Sequence, residues 1–174
     1  MLQPHAAMRN IMNRRTTLIL GLLFGAAVFA TAAPQVGLAQ SNPLIGTWKI
    51  NLAKSKFSPG PPPKTQTLTF EADGQNLKNT AETIDAQGQA RKTVFMHIYD
   101  GKPHPVLDTA AQFDATTYTQ VDAYHVNWVR SKAGKAVLTG SNEVSSDGRT
   151  YTVTTEGTGA NGQPISSVAV YEKQ

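Results

Sequence analysis

From residue 40 onward, apolar and polar positions alternate along the chain with a period of two. In 65–71, Leu68 and Phe70 share one face, whereas the threonines and the glutamate share the other. The segment 150–156 alternates in the same way. Such alternation is typical of β-strands that bury one face. No segment after residue 40 has the 3.6-residue apolar repeat of an amphipathic helix, so we predict an all-β domain.

Turn signals separate these alternating segments, because Asp-Gly and Asn-Gly pairs accept the backbone angles of tight hairpins. The turn signals are Asp73-Gly74, Gln87-Gly88, Asp100-Gly101, Ala133-Gly134, Asp147-Gly148 and Asn161-Gly162. The predicted strands are 44–51, 64–72, 75–84, 89–99, 115–122, 124–132, 135–145, 149–157 and 164–173. The connections predict an antiparallel meander, and closure into a lipocalin-like barrel of about eight to ten strands would remove the exposed edges.

Residues 1–39 have the pattern of a signal peptide. Arg14-Arg15 precedes an apolar run over 18–30, and small residues follow that run. This order of a basic, an apolar and a small-residue segment predicts export, with cleavage after Ala32 or Ala39. The alternative is an uncleaved anchor, but the run is shorter than the roughly 20 residues of a spanning helix. We therefore expect a single domain over 40–174, in the periplasm or secreted, with no membrane attachment after cleavage.

Composition narrows the classes of function. The leader holds three arginines and no acidic residue, which leaves 13 basic and 12 acidic residues in the remainder. A domain so nearly neutral lacks the basic surface that nucleic-acid binding requires. The chain has no cysteine, which excludes disulfides, thiolate metal sites and a cysteine nucleophile.

The first predicted strand contains Gly46-Thr47-Trp48-Lys49. A glycine and a tryptophan at this spacing on the first strand resemble the pattern of the lipocalins and the wider calycin families. In those families the glycine permits a close approach at the closed barrel end, and the tryptophan plugs that end beneath a basic side chain. The resemblance implies this plug role for Gly46 and Trp48. Lys173 alone is placed for the basic partner, which departs from the position in classical lipocalins.

Nearly all of 44–174 resembles a group of uncharacterised secreted bacterial lipocalin-like proteins. Besides the opening stretch, the similar stretches are 53–60 (AKSKFSPG), 99–102 (YDGK), 146–148 (SDG) and 170–173 (VYEK). This resemblance implies a barrel and supplies no catalytic residues.

The sequence contains no recognisable catalytic or metal-binding motif. The chain has no Gly-x-Ser-x-Gly, Ser-x-x-Lys or His-Glu-x-x-His motif and no phosphate-binding glycine loop. The histidines after the leader, His97, His104 and His125, match no compact metal-ligand spacing, so no metal and no cofactor are expected.

Two strands carry the candidate ligand-binding residues, which combine aromatic and polar groups at a spacing of two. They are His97, Tyr99, Tyr124, Trp128 and Arg130. Periodicity leaves the inward face undecided. On the 89–99 strand the opposite face, with Val94, Met96 and Ile98, is the more apolar and has the better claim to an ordinary core. If that face fills the barrel, then His97 and Tyr99 face outward.

We predict that the domain is a monomer that binds a small, partly apolar ligand in the barrel, and that it is not an enzyme. One alternative is an enzyme with His97 as acid or base and with Tyr99 or Arg130 orienting the substrate. Another is a packed structural module of the cell envelope. A cavity below the roughly 300 Å³ typical of small ligand sites would favour the structural module.

Overall fold

The structure is a computed structural model that describes residues 42–106, 112–159 and 161–174. The predicted signal peptide, residues 1–39, lies outside the described residues. Within the described ranges, no helix is long and apolar enough to cross a membrane.

Ten antiparallel strands and no helix make up the described part of the chain, which confirms the predicted all-β meander. The strands are β1 (Gly46–Ile50), β2 (Thr65–Asp73), β3 (Asn76–Ile84), β4 (Ala90–His97), β5 (Pro103–Pro105), β6 (Ala115–Gln120), β7 (His125–Lys132), β8 (Lys135–Val144), β9 (Thr150–Thr158) and β10 (Pro164–Lys173).

Nine of the strands fall within two residues of the predicted segments, and β5 is an addition. Its Pro-His-Pro sequence predicts a loop, since proline cannot donate a hydrogen bond to a strand ladder. The structure places β5 at the edge of the sheet, where it pairs with β6 alone. An edge strand needs donors on one side only, and this explains how two prolines are accommodated.

The strand order is β4-β3-β2-β1-β10-β9-β8-β7-β6-β5. The first strand pairs with the last, with Trp48 opposite Lys173. The sheet therefore curls into a half-barrel whose two edges are β4 and β5. We call the interval between β4 and the β5–β6 pair the seam.

Side chains bridge the inner side of the seam. The His97 ring of β4 stacks on the Tyr118 ring of β6, with centroids 4.2 Å apart and an interplanar angle of 16°. The guanidinium carbon of Arg130, on β7, lies 5.6 Å from the Phe95 ring centroid of β4. Beyond the end of β4, the Gly101 amide donates to the Tyr118 carbonyl. Side-chain contacts and this backbone hydrogen bond thus link the two sides of the seam, where the described strands form no ladder.

Inward-facing side chains form two buried clusters. The first cluster comprises Leu44, Trp48, Ile50, Leu68, Phe70, Leu77, Ala81, Val144, Tyr151, Ala169 and Tyr171. The second cluster comprises Phe113, Tyr118, Val126, Trp128 and Leu138. Burial of these apolar surfaces is the main term that stabilises the half-barrel.

Gly46, Trp48 and Lys173 lie together at one end of the half-barrel. Trp48 is fully buried, and its indole nitrogen donates to the Leu44 carbonyl at 2.7 Å. The Lys173 ammonium lies 5.0 Å from the Trp48 ring centroid. Gly46 has a φ of 128°, and a Cβ there would lie 3.1 Å from Lys173 Cε, so both backbone angle and space favour glycine. The plug role of this group stays a prediction.

Candidate functional site

A cavity of about 120 Å³ lies inside the half-barrel. Aromatic and polar side chains from both halves of the sheet surround it, among them His97, Tyr118, Trp128, Arg130, Asn142 and Tyr151. Their strands present these side chains on the inner face through the alternation that also buries the two clusters.

Arg130 is the cation of this cavity. Its guanidinium carbon lies 4.5 Å from the Phe113 ring centroid and 4.6 Å from the Trp128 ring centroid. The side chain is half-buried, and its Nε atom is shielded from solvent without a hydrogen-bond partner. Burial lowers the pKa of the guanidinium, yet arginine stays protonated in proteins. The aromatic rings compensate part of the desolvation of this charge.

No carboxylate of the described residues forms an ion pair with Arg130. A buried charge without a counter-charge is unusual, because its lost hydration is not repaid by attraction to an opposite charge. The electrostatics of the cavity therefore favour an anion.

Further polar atoms around the seam are buried without partners. In the described ranges they are Asn79 Oδ1, His97 Nδ1, Tyr99 Oη, Thr116 Oγ1 and Arg130 Nε. Buried polar groups in native proteins are nearly always hydrogen-bonded, to ordered water or a ligand where protein partners are lacking. Such a group of unpartnered atoms marks a place where a bound molecule would gain hydrogen bonds.

His97 is 2% exposed. It stacks on Tyr118 and meets the edge of the Phe70 ring, with centroids 5.4 Å apart. Burial, with a contribution from the Arg130 charge, lowers the pKa of His97 to about 3. The imidazole is therefore neutral at physiological pH, so it offers one donor and one acceptor and no charge.

The tyrosines around the cavity are neutral phenols. Burial raises the pKa of Tyr118 more than the neighbouring Arg130 charge lowers it. Burial likewise raises the pKa values of Tyr99, Tyr151 and Tyr171. The Tyr171 hydroxyl donates to Gln66 Oε1, and the Gln66 amide donates to Thr83 Oγ1. The interior thus supplies hydroxyl groups as hydrogen-bond donors and one guanidinium as its charge.

Three of the five residues predicted for a site line the cavity, namely His97, Trp128 and Arg130. Tyr99 lies behind them, with its ring centroid 6.2 Å from that of His97. Tyr124 packs against the first buried cluster instead. The structure therefore brings together residues from β4 and β7 that lie more than thirty positions apart in the chain.

The structure also decides which face of β4 points inward. Val94 and Met96, the more apolar set, face outward and are 47% and 36% exposed. His97 and Phe95 line the interior cavity. The expectation that the more apolar face has the better claim to the core is therefore wrong for this strand.

Sequence reasoning missed Asn79, Thr116, Tyr118 and Asn142. Thr116 and Tyr118 occupy alternate positions in β6 and are both buried, so alternation was an available signal for them. Asn142 accepts a hydrogen bond from the Trp128 indole at 2.9 Å, a contact between neighbouring strands. Nothing in the local pattern signals that Tyr118 meets His97, because this contact crosses the seam.

A second space, a groove of about 780 Å³, follows the seam. One wall is formed by β4 and Ile98, and the opposite wall by β5, Val106 and the start of β6. Phe95 and Tyr118 line both the groove and the interior cavity. The two spaces therefore adjoin at these two side chains.

The three histidines do not meet. His104 Nε2 lies 2.9 Å from Asp100 Oδ1, and His125 Nδ1 lies 2.8 Å from Asp122 Oδ2, whereas His97 is buried inside. In the part of the chain that the structure describes, no group of three or more His, Cys, Asp or Glu side chains is placed to hold a metal ion.

Comparison with family models and with curated protein sequences gives no match. The solved structures that are similar to this chain include the following two. Zebrafish ileal bile acid-binding protein in complex with cholic acid is 12% identical, covers 76% of this chain and 98% of its own, and has a TM-score of 0.47. The siderocalin Ex-FABP is 12% identical, covers 76% of this chain and 74% of its own, and has a TM-score of 0.38. These similarities concern the fold alone.

Proposed function

We propose that the protein binds a small, partly apolar molecule in the half-barrel, and that a negatively charged group of this molecule contacts Arg130. The observation that carries the proposal is the shielded Nε atom of Arg130, which borders the cavity without a hydrogen bond. An anion there would restore a counter-charge to the guanidinium, and a carboxylate matches its planar donors.

The size of the cavity limits what enters it. A volume of about 120 Å³ is below the roughly 300 Å³ of small ligand sites, so the interior alone fits a packed structural module better than a complete ligand. It has room for an anionic group and the few atoms next to it. The apolar remainder of the ligand then lies outside the interior cavity.

An enzyme that uses His97 as acid or base is less well supported. A general acid or base works best with a pKa near the operating pH, and the pKa of His97 is about 3. The remaining N–H of the neutral imidazole is only very weakly acidic, and a pKa of about 3 makes the ring a weak base. We therefore assign His97 a hydrogen-bonding role in the binding site.

Export belongs to the proposal as well. The supporting features are Arg14-Arg15, the apolar run over 18–30 and the small residues that follow it. We propose that the mature domain works in the periplasm or outside the cell. N-terminal sequencing of the protein from its host tests this, since a chain beginning near Ala33 or Gln40 is expected. A mature chain that still begins at Met1 would contradict it.

Calorimetric titration with decanoate and with uncharged decanamide tests the role of Arg130. The unmodified protein is expected to bind decanoate more tightly, and Arg130→Met is expected to lose about tenfold or more of that affinity. Arg130→Lys should retain part of it, because the charge remains while the planar donors are lost.

Lys173→Met is the matched control, since Lys173 also lies over a tryptophan ring but outside the cavity. It should bind decanoate like the unmodified protein. Equal binding of decanoate by Arg130→Met and by the unmodified protein would rule out the proposed site.

A further inference from the structure

The groove along the seam differs from the other surfaces of the half-barrel in having two strand edges as its walls. β4 pairs only with β3, and β5 pairs only with β6, so each strand has one side without a partner strand. Edge strands are usually protected by charge, by proline or by a covering element. The two prolines of β5 protect its edge. The middle of β4, Thr-Val-Phe-Met, contains neither a charged residue nor a proline.

The groove is lined largely by apolar side chains. Those from β4 and its extension are Val94, Phe95, Met96 and Ile98, and those opposite include Pro105 and Val106. Val94 and Met96 are two of the few large apolar side chains that are exposed among the described residues. Exposed apolar side chains that line one groove indicate a binding surface.

On its inner side this groove adjoins the cavity that Arg130 lines. Phe95 and Tyr118 form a wall of both spaces, and the Arg130 guanidinium carbon lies 5.6 Å from the Phe95 ring centroid. A molecule whose anionic group binds Arg130 would reach the groove by separating these two side chains, which form the wall between the two spaces. A cation in one space and apolar side chains in the adjoining one match the polarity of an amphiphile.

We propose that the seam holds the apolar chain of a single-chain anionic amphiphile, the charged group of which binds Arg130. The inference rests on the proposed function and adds the position and the shape of the ligand. From Val94 to Ile98 the groove follows about 13 Å of strand, which suits an unbranched chain better than a compact ring system.

An extended peptide is the other occupant that strand edges attract, because it could pair with their free backbone groups. Main-chain pairing along the seam would bring only uncharged amide groups to the inner end, next to Phe95 and Tyr118. The Arg130 guanidinium would then stay without a counter-charge. Charge complementarity therefore favours the anionic amphiphile.

The test is a chain-length series of carboxylates, with butyrate followed by NMR titration and octanoate and dodecanoate by calorimetry. Affinity is expected to rise about two- to fourfold for each methylene that enters the groove. Val94→Asp should weaken dodecanoate binding by at least about tenfold, because an ionised side chain would be buried against the apolar chain. Butyrate binding should be unchanged in this variant, since the short chain ends before Val94.

Val121→Asp is the matched control. Val121 is 60% exposed in the turn between β6 and β7 and lines neither space. This variant should bind dodecanoate like the unmodified protein. Thermal unfolding of both variants checks that the fold is intact.

The outcomes separate the two proposals. Carboxylates that bind with equal affinity whatever their length, or dodecanoate binding that Val94→Asp leaves unchanged, would overturn the seam site while the Arg130 site stands. Dodecanol that binds as tightly as dodecanoate, and is weakened by Val94→Asp, would overturn the Arg130 site and leave an apolar seam site. An extended peptide that displaces dodecanoate and binds equally well to Arg130→Met would overturn the amphiphile as occupant.

Discussion

Two tryptophans of this protein each lie against a cation, and the two pairs differ in the surroundings of that cation. Trp48 belongs to the larger buried cluster and donates to a backbone carbonyl. Its cation, Lys173, is exposed and donates to the Pro43 carbonyl at 3.2 Å. Trp128 belongs to the smaller cluster and donates to Asn142. Its cation, Arg130, borders the cavity, and its Nε has no partner.

This comparison shows that the role of a contact between a cation and a tryptophan ring depends on where the pair lies in the half-barrel. At the Trp48 end, the ammonium is exposed to solvent and donates a hydrogen bond to the Pro43 carbonyl, so the pair is satisfied without a ligand. At the Trp128 end, the rings exclude water from part of the guanidinium, and neutral His97 and Tyr118 bring no counter-charge. The first region is satisfied by protein groups and solvent, whereas in the second the guanidinium Nε has no partner among the described residues.

Removal of Trp48 is expected to have the largest effect. Trp48→Ala should lower the free energy of unfolding by about 3–5 kcal/mol, because it leaves a cavity in the larger cluster. Urea denaturation followed by circular dichroism measures this change. Leu52→Ala, at a residue that is 39% exposed, is the control and should change stability by less than about 1 kcal/mol. A similar small loss for Trp48→Ala would show that this end is loosely packed.

The second largest effect on the free energy of unfolding is expected from acid, which acts on the Trp128 region through protonation of His97. The pKa of His97 is about 3 in the folded protein, below its usual 6.5, so the unfolded chain binds the proton more readily between these values. The stability linked to His97 is complete above pH 6.5 and is lost as pH falls toward 3. The free energy of unfolding should fall by roughly 3 kcal/mol between pH 6.5 and pH 4.

Urea denaturation at a series of pH values tests this linkage, with His97→Gln and His125→Gln as the paired variants. In His97→Gln, the free energy of unfolding should change less with pH above pH 4. His125→Gln should keep it, because His125 lies at the surface beside Asp122. An unchanged slope in His97→Gln would assign the acid sensitivity to other groups.

The two cations should give the smallest effects, with opposite signs. Without ligand, Arg130→Met should raise the free energy of unfolding by about 1–2 kcal/mol, because a poorly compensated charge is replaced by an apolar group of similar length. Lys173→Met should lower it by about 0.5 kcal/mol through loss of an exposed cation–π contact. Thermal unfolding at neutral pH measures both. A loss of stability in both variants would mean that Arg130 is a structural cation rather than a site for an anion.

Much of the fold could be predicted from the sequence, because strands and hairpins depend on nearby residues. Alternation located nine strands to within two residues, and the six predicted turn signals lie at six of the nine connections between the ten described strands. Alternation also placed Trp128 and Arg130 on one face of β7. It could not show that Tyr124, at the same spacing, packs with the other cluster, since β7 begins only at His125.

The sequence by itself determined which side chains share a face, since the pleat of a strand imposes a period of two on any sheet. Only the tertiary structure decided which face lies inside. On β4 it placed His97 inside and the more apolar Val94 and Met96 outside, because the register with β3 sets His97 opposite a buried leucine and Met96 opposite an exposed lysine. The contact of His97 with Tyr118 and the unpartnered Nε of Arg130 likewise come from the curl of the sheet. They depend on strands far apart in the chain, and no local pattern encodes them.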